Sequence, residues 1–423
     1  MKEIRRINIA EICTTICSGG TPKSTCKKYY NGGIPWLNTK EINFNRIYKT
    51  EKTITEEGLN NSSAKWINKD SIIVAMYGVT AGKSAIAKIP LTTNQACCNL
   101  TIDSRKADFR FVYYALCCDF QRLASLANGG AQQNLNAQRI KDFDIPYPTI
   151  KEQKCIANVL SSLDDKIELN RRINDNLEQQ AQAMFKSWFV DFEPFKDGKF
   201  VDSELGMIPE GWRVGTFTDI ICSTFGGDWG KEIKQGNYTQ KVFCIRGADI
   251  PDIKIGNRGN MPVRYILDKN YQSKLLEIGD LVIEISGGSP TQSTGRICRI
   301  SLELLNKYDN SIICTNFCRA IKPILEYSPY IYYMWEFLYK QGVMFSYENG
   351  TTGIKNLDIN GLTQKESVII PPQEIAVKFA KTVNCIYKKV QSNGIESEKL
   401  SNLRDTLLPK LMSGELKIND LNR

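Results

Sequence analysis

Residues Ile145–Phe189 read IPYPTIKEQKCIANVLSSLDDKIELNRRINDNLEQQAQAMFKSWF, with no glycine and with prolines only at 146 and 148. Apolar residues recur at steps of mostly three and four: Ile156, Leu160, Leu163, Ile167, Ile173, Leu177, Met184, Phe185 and Trp188. That spacing predicts one long helix with a single apolar stripe. At ~1.5 Å per residue, the roughly 40 residues of Lys151–Val190 would span about 60 Å. One compact domain does not need such a length, so the helix is expected to separate or join two bodies.

A second stretch of the same kind closes the chain, Ile369–Gly414, opening on Pro371-Pro372-Gln373-Glu374. Its stripe is Ile375, Phe379, Val383, Ile386, Val390, Ile395, Leu400, Leu403, Leu407, Leu408 and Leu411. Gly394 is expected to interrupt it, and Pro409 with Gly414 to end it. Each stripe must be covered, and the other helix is the natural partner. The packing set is Ile156, Leu160, Leu163, Ile167, Ile173 and Leu177 against Ile375, Phe379, Val383, Ile386, Leu400, Leu403 and Leu407. The alternative is two independent helices, each packed on its own domain.

Before the first helix the chain is mixed α/β. Ile9–Cys17 reads as a short helix or strand, Ile34–Asn38 as a short extended piece, Ser71–Tyr77 and Gln95–Ile102 as buried strands, and Asp108–Ala127 as a helix. Gln132–Asn136 is a polar loop, and residues 191–204 form a polar connector. From Gly206 the first half returns weakly, about 210–220 residues later. Glu11-Ile12 with Ser18-Gly19 matches Asp219-Ile220 with Gly226-Gly227. Ile34-Pro35-Trp36 matches Val242-Phe243-Cys244, and Asp70–Ile73 matches Asp280–Ile283. Thr93-Asn94 before Cys97 matches Thr315-Asn316 before Cys318, and Gly129–Leu135 matches Gly350–Leu357. The plan is globule, helix, globule, helix. Duplication predicts a pseudo-twofold with antiparallel helices holding two similar readers apart, a geometry suited to a two-part target.

The 423 residues favour two or three domains, and 42% apolar with 24% charged residues is ordinary for a soluble globular protein. A formal charge of +9 suits an acidic partner such as DNA. There are 14 cysteines and no histidine. Without histidine, Ser-His-Asp, Cys-His and His-metal chemistry are excluded. The cysteines include no CxxC pair and read as reduced, buried small hydrophobes, although Cys13/Cys17 and Cys314/Cys318 leave an all-cysteine zinc site formally open. Glu11 cuts short any secretory apolar run, and no stretch approaches a membrane span, so a cytoplasmic location is expected.

The whole chain resembles the specificity subunit of type I restriction-modification systems. The resemblance is carried by LNAQRIKDFDIPYPTIKEQKCIANVLSSLDDKIELN at Leu135–Asn170, AMFKSWFVDFEPF at Ala183–Phe195, SELGMIPEGW at Ser203–Trp212 and LRDTLLPKLMSGEL at Leu403–Leu416. It implies an α/β (α+β) fold: two similar mixed α/β target-recognition domains separated by two long antiparallel helices. Residues 1–150 would be the first recognition domain, 151–190 the first spacer helix, 191–204 a connector, 205–368 the second recognition domain, 369–415 the second spacer helix and 416–423 a tail. It also implies a non-catalytic chain that binds double-stranded DNA, docks two methyltransferase subunits on the helices and is joined by a restriction/translocase subunit. The chain would carry no cofactor, and S-adenosylmethionine would belong to the methyltransferase partner.

Individual motifs weigh the same way. Gly78–Ser84 after a strand is one residue short of a phosphate loop, since Tyr77 stands where glycine is needed. Asp144 with Glu152-x-Lys154 has the outline of a nuclease signature, yet Glu152 sits where a helix start favours acid. No FxGxG, no Asn-Pro-Pro-aromatic tetrapeptide and no GxGxxG occurs. The DNA-binding candidates are therefore the loop residues Thr80, Lys83, Gln132, Gln133 and Asn134 in the first half. In the second they are Arg246, Arg258, Ser289, Thr291, Gln292, Arg296, Thr351, Thr352 and Lys355. Gln and Asn pair bidentately with adenine and Arg with guanine; Ser293 is a further polar candidate, and Tyr29, Trp36 and Trp229 either stack or pack. A free-standing methyltransferase or nuclease, and a coiled-coil adaptor without a DNA role, are the competing functions.

Overall fold

The computed structural model describes residues 5–127, 134–289, 292–309, 311–350 and 355–417. Two units form: Met1–Asp165 with Ser401–Arg423, and Lys166–Leu400. The long helices, Ile150–Phe189 and Gln373–Met412, each contribute residues to both units.

In the first unit a five-stranded sheet runs in the order Cys13–Ser18, Cys97–Ile102, Ile72–Ala75, Ser84–Ala87, Asn45–Ile47. Its centre, Ile72–Ala75, is buried on both faces, as an uninterrupted apolar run requires. A four-stranded sheet runs Lys52–Ile54, Tyr30–Leu37, Leu91–Thr93, Trp66–Ile67. Three expectations are refined here. Ile9–Cys17 is both helix (Ile9–Ile12) and strand (Cys13–Ser18). The extended piece around Trp36 is a full strand from Tyr30 to Leu37. Asp108–Ala127 is two helices, Phe109–Cys118 and Phe120–Ser125, broken at Asp119.

The second unit repeats this scaffold. Its four-stranded sheet runs Ile221–Gly226, Cys318–Pro323, Leu281–Glu284, Ile297–Arg299, matching the first four strands above in order. Its three-stranded sheet runs Val263–Leu267, Tyr238–Ile245, Ile312–Cys314. Tyr30–Leu37 and Tyr238–Ile245 share the same residue-by-residue alternation of exposure over eight positions. Each pairs antiparallel on one side and parallel on the other, at Trp36↔Thr92 and Phe243↔Ile312. Each long helix is entered through a short helix and a short strand: Ala137–Lys141 and Asp144–Pro146 in one case, Ile359–Lys365 and Val368–Ile370 in the other.

Within each unit the two long helices touch, and they run antiparallel. In the second unit Phe189 packs edge-on to Phe379, with ring centroids 4.9 Å apart, while Asn174, further back in the first helix, meets Val390 and Asn393, further on in the second. In the first unit the Arg404 guanidinium donates to Asp164 at 2.6 Å, and Ile156, Ala157 and Leu160 share a core with Leu411 and Met412. Independent packing of the helices is thereby ruled out. The aromatic residues at Ala183–Phe195 enter the second unit's core: Phe185, Phe189 and Phe192 are buried there beside Trp212, and Trp188 and Phe195 pack half-buried against them.

The seam is not a continuous apolar stripe. Ile156, Leu160, Phe379 and Val383 are buried, and Ile375, Ile386 and Leu407 pack half-buried on the cores. Leu163, Ile167, Ile173, Leu177 and Leu400 are only half-buried. Leu403 is 47% exposed, because the inward position beside it is taken by Arg404 on its way to Asp164. The buried places midway are polar: Asn170, Asn174, Gln391 and Asn393 are each at most 5% exposed. Asn393 donates to the Asn174 side chain at 2.8 Å, and Asn174 donates to the carbonyls of Val390 at 3.1 Å and Ile255 at 3.2 Å. Asn170 donates to Glu396 at 2.8 Å, and Gln391 to the Ile253 carbonyl at 3.1 Å.

Gly394 does not interrupt the second helix, and Pro409 does not end it; the helix runs unbroken to Met412. Pro409 sits in the last turn, with Gly414 at φ +70° just beyond. Gly394 is there for packing. A Cβ on it would lie 2.4 Å from both the Ile255 oxygen and the Gly256 carbonyl carbon, so the Ile255-Gly256 backbone can lie directly on the helix. Helix propensity alone would make Gly394→Ala stabilising by about 1 kcal/mol. The backbone clash reverses the sign, and we expect a net loss of about 1–3 kcal/mol in urea unfolding; an unchanged or raised midpoint would show the contact to be loose.

Candidate nucleic-acid interface

The rim of each main sheet is built by the same backbone pattern. In the first unit the central strand runs out through Met76, whose N–H donates to the Ala96 carbonyl at 2.8 Å and whose carbonyl accepts from Leu135 at 2.8 Å. Tyr77 then bridges Asn134. In the second unit Ile285 donates to the Phe317 carbonyl at 2.9 Å and accepts from Leu357 at 2.8 Å. Ser286 and Gly287 then pair with Asn356 and Lys355. The described ends of the two polar loops that the repeat placed in correspondence, Asn134-Leu135 and Lys355–Leu357, are thus bound to equivalent rims.

What the rims carry differs. In the first unit Gly78–Thr80 is a single 3-10 turn, with Gly78 at φ +74° and Val79 96% exposed at its tip. No helix follows it, since Ser84–Ala87 is a strand, so Gly78–Ser84 lacks the helix N-terminus that cradles phosphate. Lys83 donates to Asn43 at 2.7 Å and lies 5.7 Å from the centre of the Phe44 ring. Thr80 is half-buried beside it.

In the second unit the Ser289 hydroxyl accepts from the Gln292 backbone N–H at 3.0 Å, and Gln292 is exposed. Ser293 is buried, with its carbonyl accepting from Tyr339 at 3.0 Å. Arg296 is held by Glu284 through two bonds, at 2.7 and 2.6 Å. Lys355 is paired with Glu348 at 2.7 Å. Arg246 chelates Asp249 at 2.9 and 3.1 Å and reaches the Asn260 carbonyl at 2.6 Å. Arg258 is exposed, but its Nε donates to the Tyr308 hydroxyl at 3.0 Å. These cations therefore organise loops, and any contact with a ligand would use their remaining donors. Gln132, Gln133, Thr291, Thr351 and Thr352 lie outside the described residues.

Trp36 is a core residue, its indole donating to the Gly20 carbonyl at 2.9 Å. Trp229 is partly exposed beneath the Arg264 guanidinium, 3.8 Å from the ring centre. Tyr29 is half-buried. Sequence reasoning missed Val79 and Phe317, the latter 59% exposed. The available signal for Phe317 was its place just before Cys318 in the match of Thr315-Asn316 and Cys318 to Thr93-Asn94 and Cys97, where the first half has Ala96.

The nuclease-like triplet is structural. Asp144 is shared by Arg6 and Arg122, and Glu152 accepts from the Thr149 backbone N–H at 2.9 Å and hydroxyl at 2.7 Å, capping the helix. Those bonds hold the Glu152 carboxyl below its usual range. Burial pushes the thiols of Cys98, Cys117, Cys244 and Cys318 up to about 12, so at neutral pH they are protonated and behave as small apolar side chains.

A family model described as the type I restriction modification DNA specificity domain matches residues 1–179. Over 419 residues the chain is 31% identical to the type I restriction enzyme MjaIX specificity subunit of Methanocaldococcus jannaschii, covering 96% of this chain and 92% of that one. The chain belongs to the family of type I restriction enzyme specificity subunits. Another specificity subunit, that of the HindI enzyme of Haemophilus influenzae, is 27% identical over 371 residues, covering 70% of this chain and 74% of that one. The crystal structure of the type I restriction-modification S subunit from M. genitalium shares the fold, with a TM-score of 0.55 at 20% identity over 97% of each chain. As a specificity subunit the chain is a non-catalytic DNA-recognition component. No helix among the described residues is long and apolar enough to cross a membrane.

Glu284 is only 5% exposed, so removing its partner strands a buried charge. Arg296→Ala should lower stability by about 3 kcal/mol, with a smaller loss for Arg296→Lys. Thermal unfolding of the two variants side by side checks this; equal, small losses would mean that Glu284 is solvated.

Proposed function

We propose that this specificity subunit reads a bipartite, asymmetric DNA site, one half-site per recognition domain, with the domains spanning residues 1–150 and 205–368. Double-stranded DNA is bound chiefly through phosphate contacts from Lys and Arg, and loop side chains at the sheet rims read base edges. Two methyltransferase subunits dock on the long helices, residues 151–190 and 369–415, and a restriction/translocase subunit joins them in the cytoplasm. S-adenosylmethionine is bound by the methyltransferase partner, and this chain takes no cofactor.

The observation that carries the reading is the combination of one repeated scaffold with two unlike rims. Tyr30–Leu37 and Tyr238–Ile245 repeat their pattern of exposure over eight residues, so the frame is the same. The rims, by contrast, present Val79, Lys83 and Asn134 in one unit and Gln292, Phe317 and Lys355 in the other. Equivalent frames with different side chains suit two different half-sites, which makes the target asymmetric rather than palindromic.

Methylation-sensitive sequencing of DNA modified by the assembled methyltransferase should return a two-part motif with a gap of constant length. A continuous or palindromic motif would overturn the proposal. Lys83→Ala should weaken binding about equally for all sequences and reduce the steepness of its salt dependence by about one unit; a change in sequence preference instead would assign Lys83 to a base.

A further inference from the structure

Of the seven arginines between residues 205 and 368, six have a partner: Arg213 with Asp219, Arg246 with Asp249, Arg258 with Tyr308, Arg264 with Glu232, Arg296 with Glu284 and Arg299 with Asn384. The seventh, Arg319, has no side-chain hydrogen bond or ion pair among the described residues; its Nε is buried without a partner, as is that of Arg264, whose Nη1 nonetheless meets Glu232. A part-buried guanidinium with no acceptor is costly, because its lost hydration is not replaced. Two residues before it stands Phe317, 59% exposed. Phe317 stands in the turn that leads into the strand Cys318–Pro323, closed by the Cys318 N–H donating to the Thr315 carbonyl at 2.9 Å, and Arg319 is the second residue of the strand itself.

The surroundings keep this pair in place and leave it accessible. The Phe317 carbonyl accepts from the N–H groups of Ile285 at 2.9 Å and Ser286 at 3.3 Å, so the aromatic stands on a backbone tied to the central strand. Arg319 is in register with Gly226 on the edge strand. A Cβ on Gly226 would lie 3.6 Å from Nη1 of Arg319, so the guanidinium extends over a position with no side chain. The pair belongs to the second unit alone. The same rim hydrogen bond in the first unit is made by Ala96, 8% exposed, and the residue that pairs as Arg319 does is Cys98, fully buried.

We infer that Phe317 and Arg319 are specificity-determining residues for the second half-site: Arg319 reads a guanine edge in the major groove, and Phe317 packs on the C5 methyl of an adjacent thymine. The inference rests on the bipartite reading above. Both partners are what these groups lack in the protein: a guanidinium fork matches guanine O6 and N7, and an exposed ring matches the one apolar feature of the major groove.

The test uses the full chain assembled with its methyltransferase partner. Arg319→Gln, Arg319→Lys and Phe317→Ala are compared with the parent by methylation profiling and by binding to DNA randomised in each half-site in turn. Arg319→Gln should lose discrimination at one G·C position of the second half by about 10- to 100-fold. Phe317→Ala should lose preference for thymine next to it, and the first half-site should be unchanged in both. Arg319→Lys retains the charge and the side-chain bulk, so it covers the case in which the glutamine variant fails to fold; it too should relax the G·C position. Uniform weakening across all sequences, or an unaltered motif, overturns the inference while leaving the bipartite reading intact. A parent complex with no two-part motif refutes the reading beneath it instead.

Discussion

The second unit depends on hydrogen bonding between amides in a place where apolar packing is the usual solution. Asn174 is 5% exposed and joins three pieces of chain: its own helix, the Val390–Asn393 turn of the second helix and the Ile255 backbone of the globular part. A buried amide must be satisfied, at a cost of about 1–3 kcal/mol for each group left without a partner. Each such group therefore tolerates one register of the helices and penalises its neighbours. An all-leucine seam would allow sliding by a turn; a seam with amides at its centre does not.

That constraint explains the glycines that pack against it. The Asn174 bond to the Ile255 carbonyl requires the turn at Ile255-Gly256 to lie against the second helix. Gly394 permits the approach from the helix side, and Gly256, at φ +82°, from the loop side. The aromatic cluster of Phe185, Phe189 and Phe379 adds apolar burial but little selectivity of register, because rings tolerate several tilted arrangements. Burial and specificity are thus supplied by different stretches of the same helices.

The duplicated frame separates support from recognition in a similar way. Both units keep the strand order of the main sheet, the parallel pairing beside the long strand of the second sheet and the hydrogen bonds that tie the described end of each polar loop to the end of the central strand. On that common support three of the five candidate cations, Arg246, Arg296 and Lys355, are already committed to carboxylates. These three, basic in the sequence, are loop braces in the structure. Chemistry left over for a ligand is concentrated in a few exposed or unpartnered groups at the rims.

The sequence by itself determined the two long helices, the α/β character of what precedes each and the duplication, because periodicity and turn residues are local signals that survive without knowledge of neighbours. It also showed correctly that Glu152 caps a helix. It did not reveal that the seam is polar at its centre, although the apolar steps falter where Asn170 and Asn174 stand, since an amide is recognised as buried only when its partners arrive from distant chain. Nor did it distinguish Leu403, turned outward, from Arg404, turned inward to Asp164. Tertiary structure alone decided which arginines are already paired, because an ion pair such as Arg296 with Glu284 is formed by strand register, and register is a relation between segments rather than a property of either.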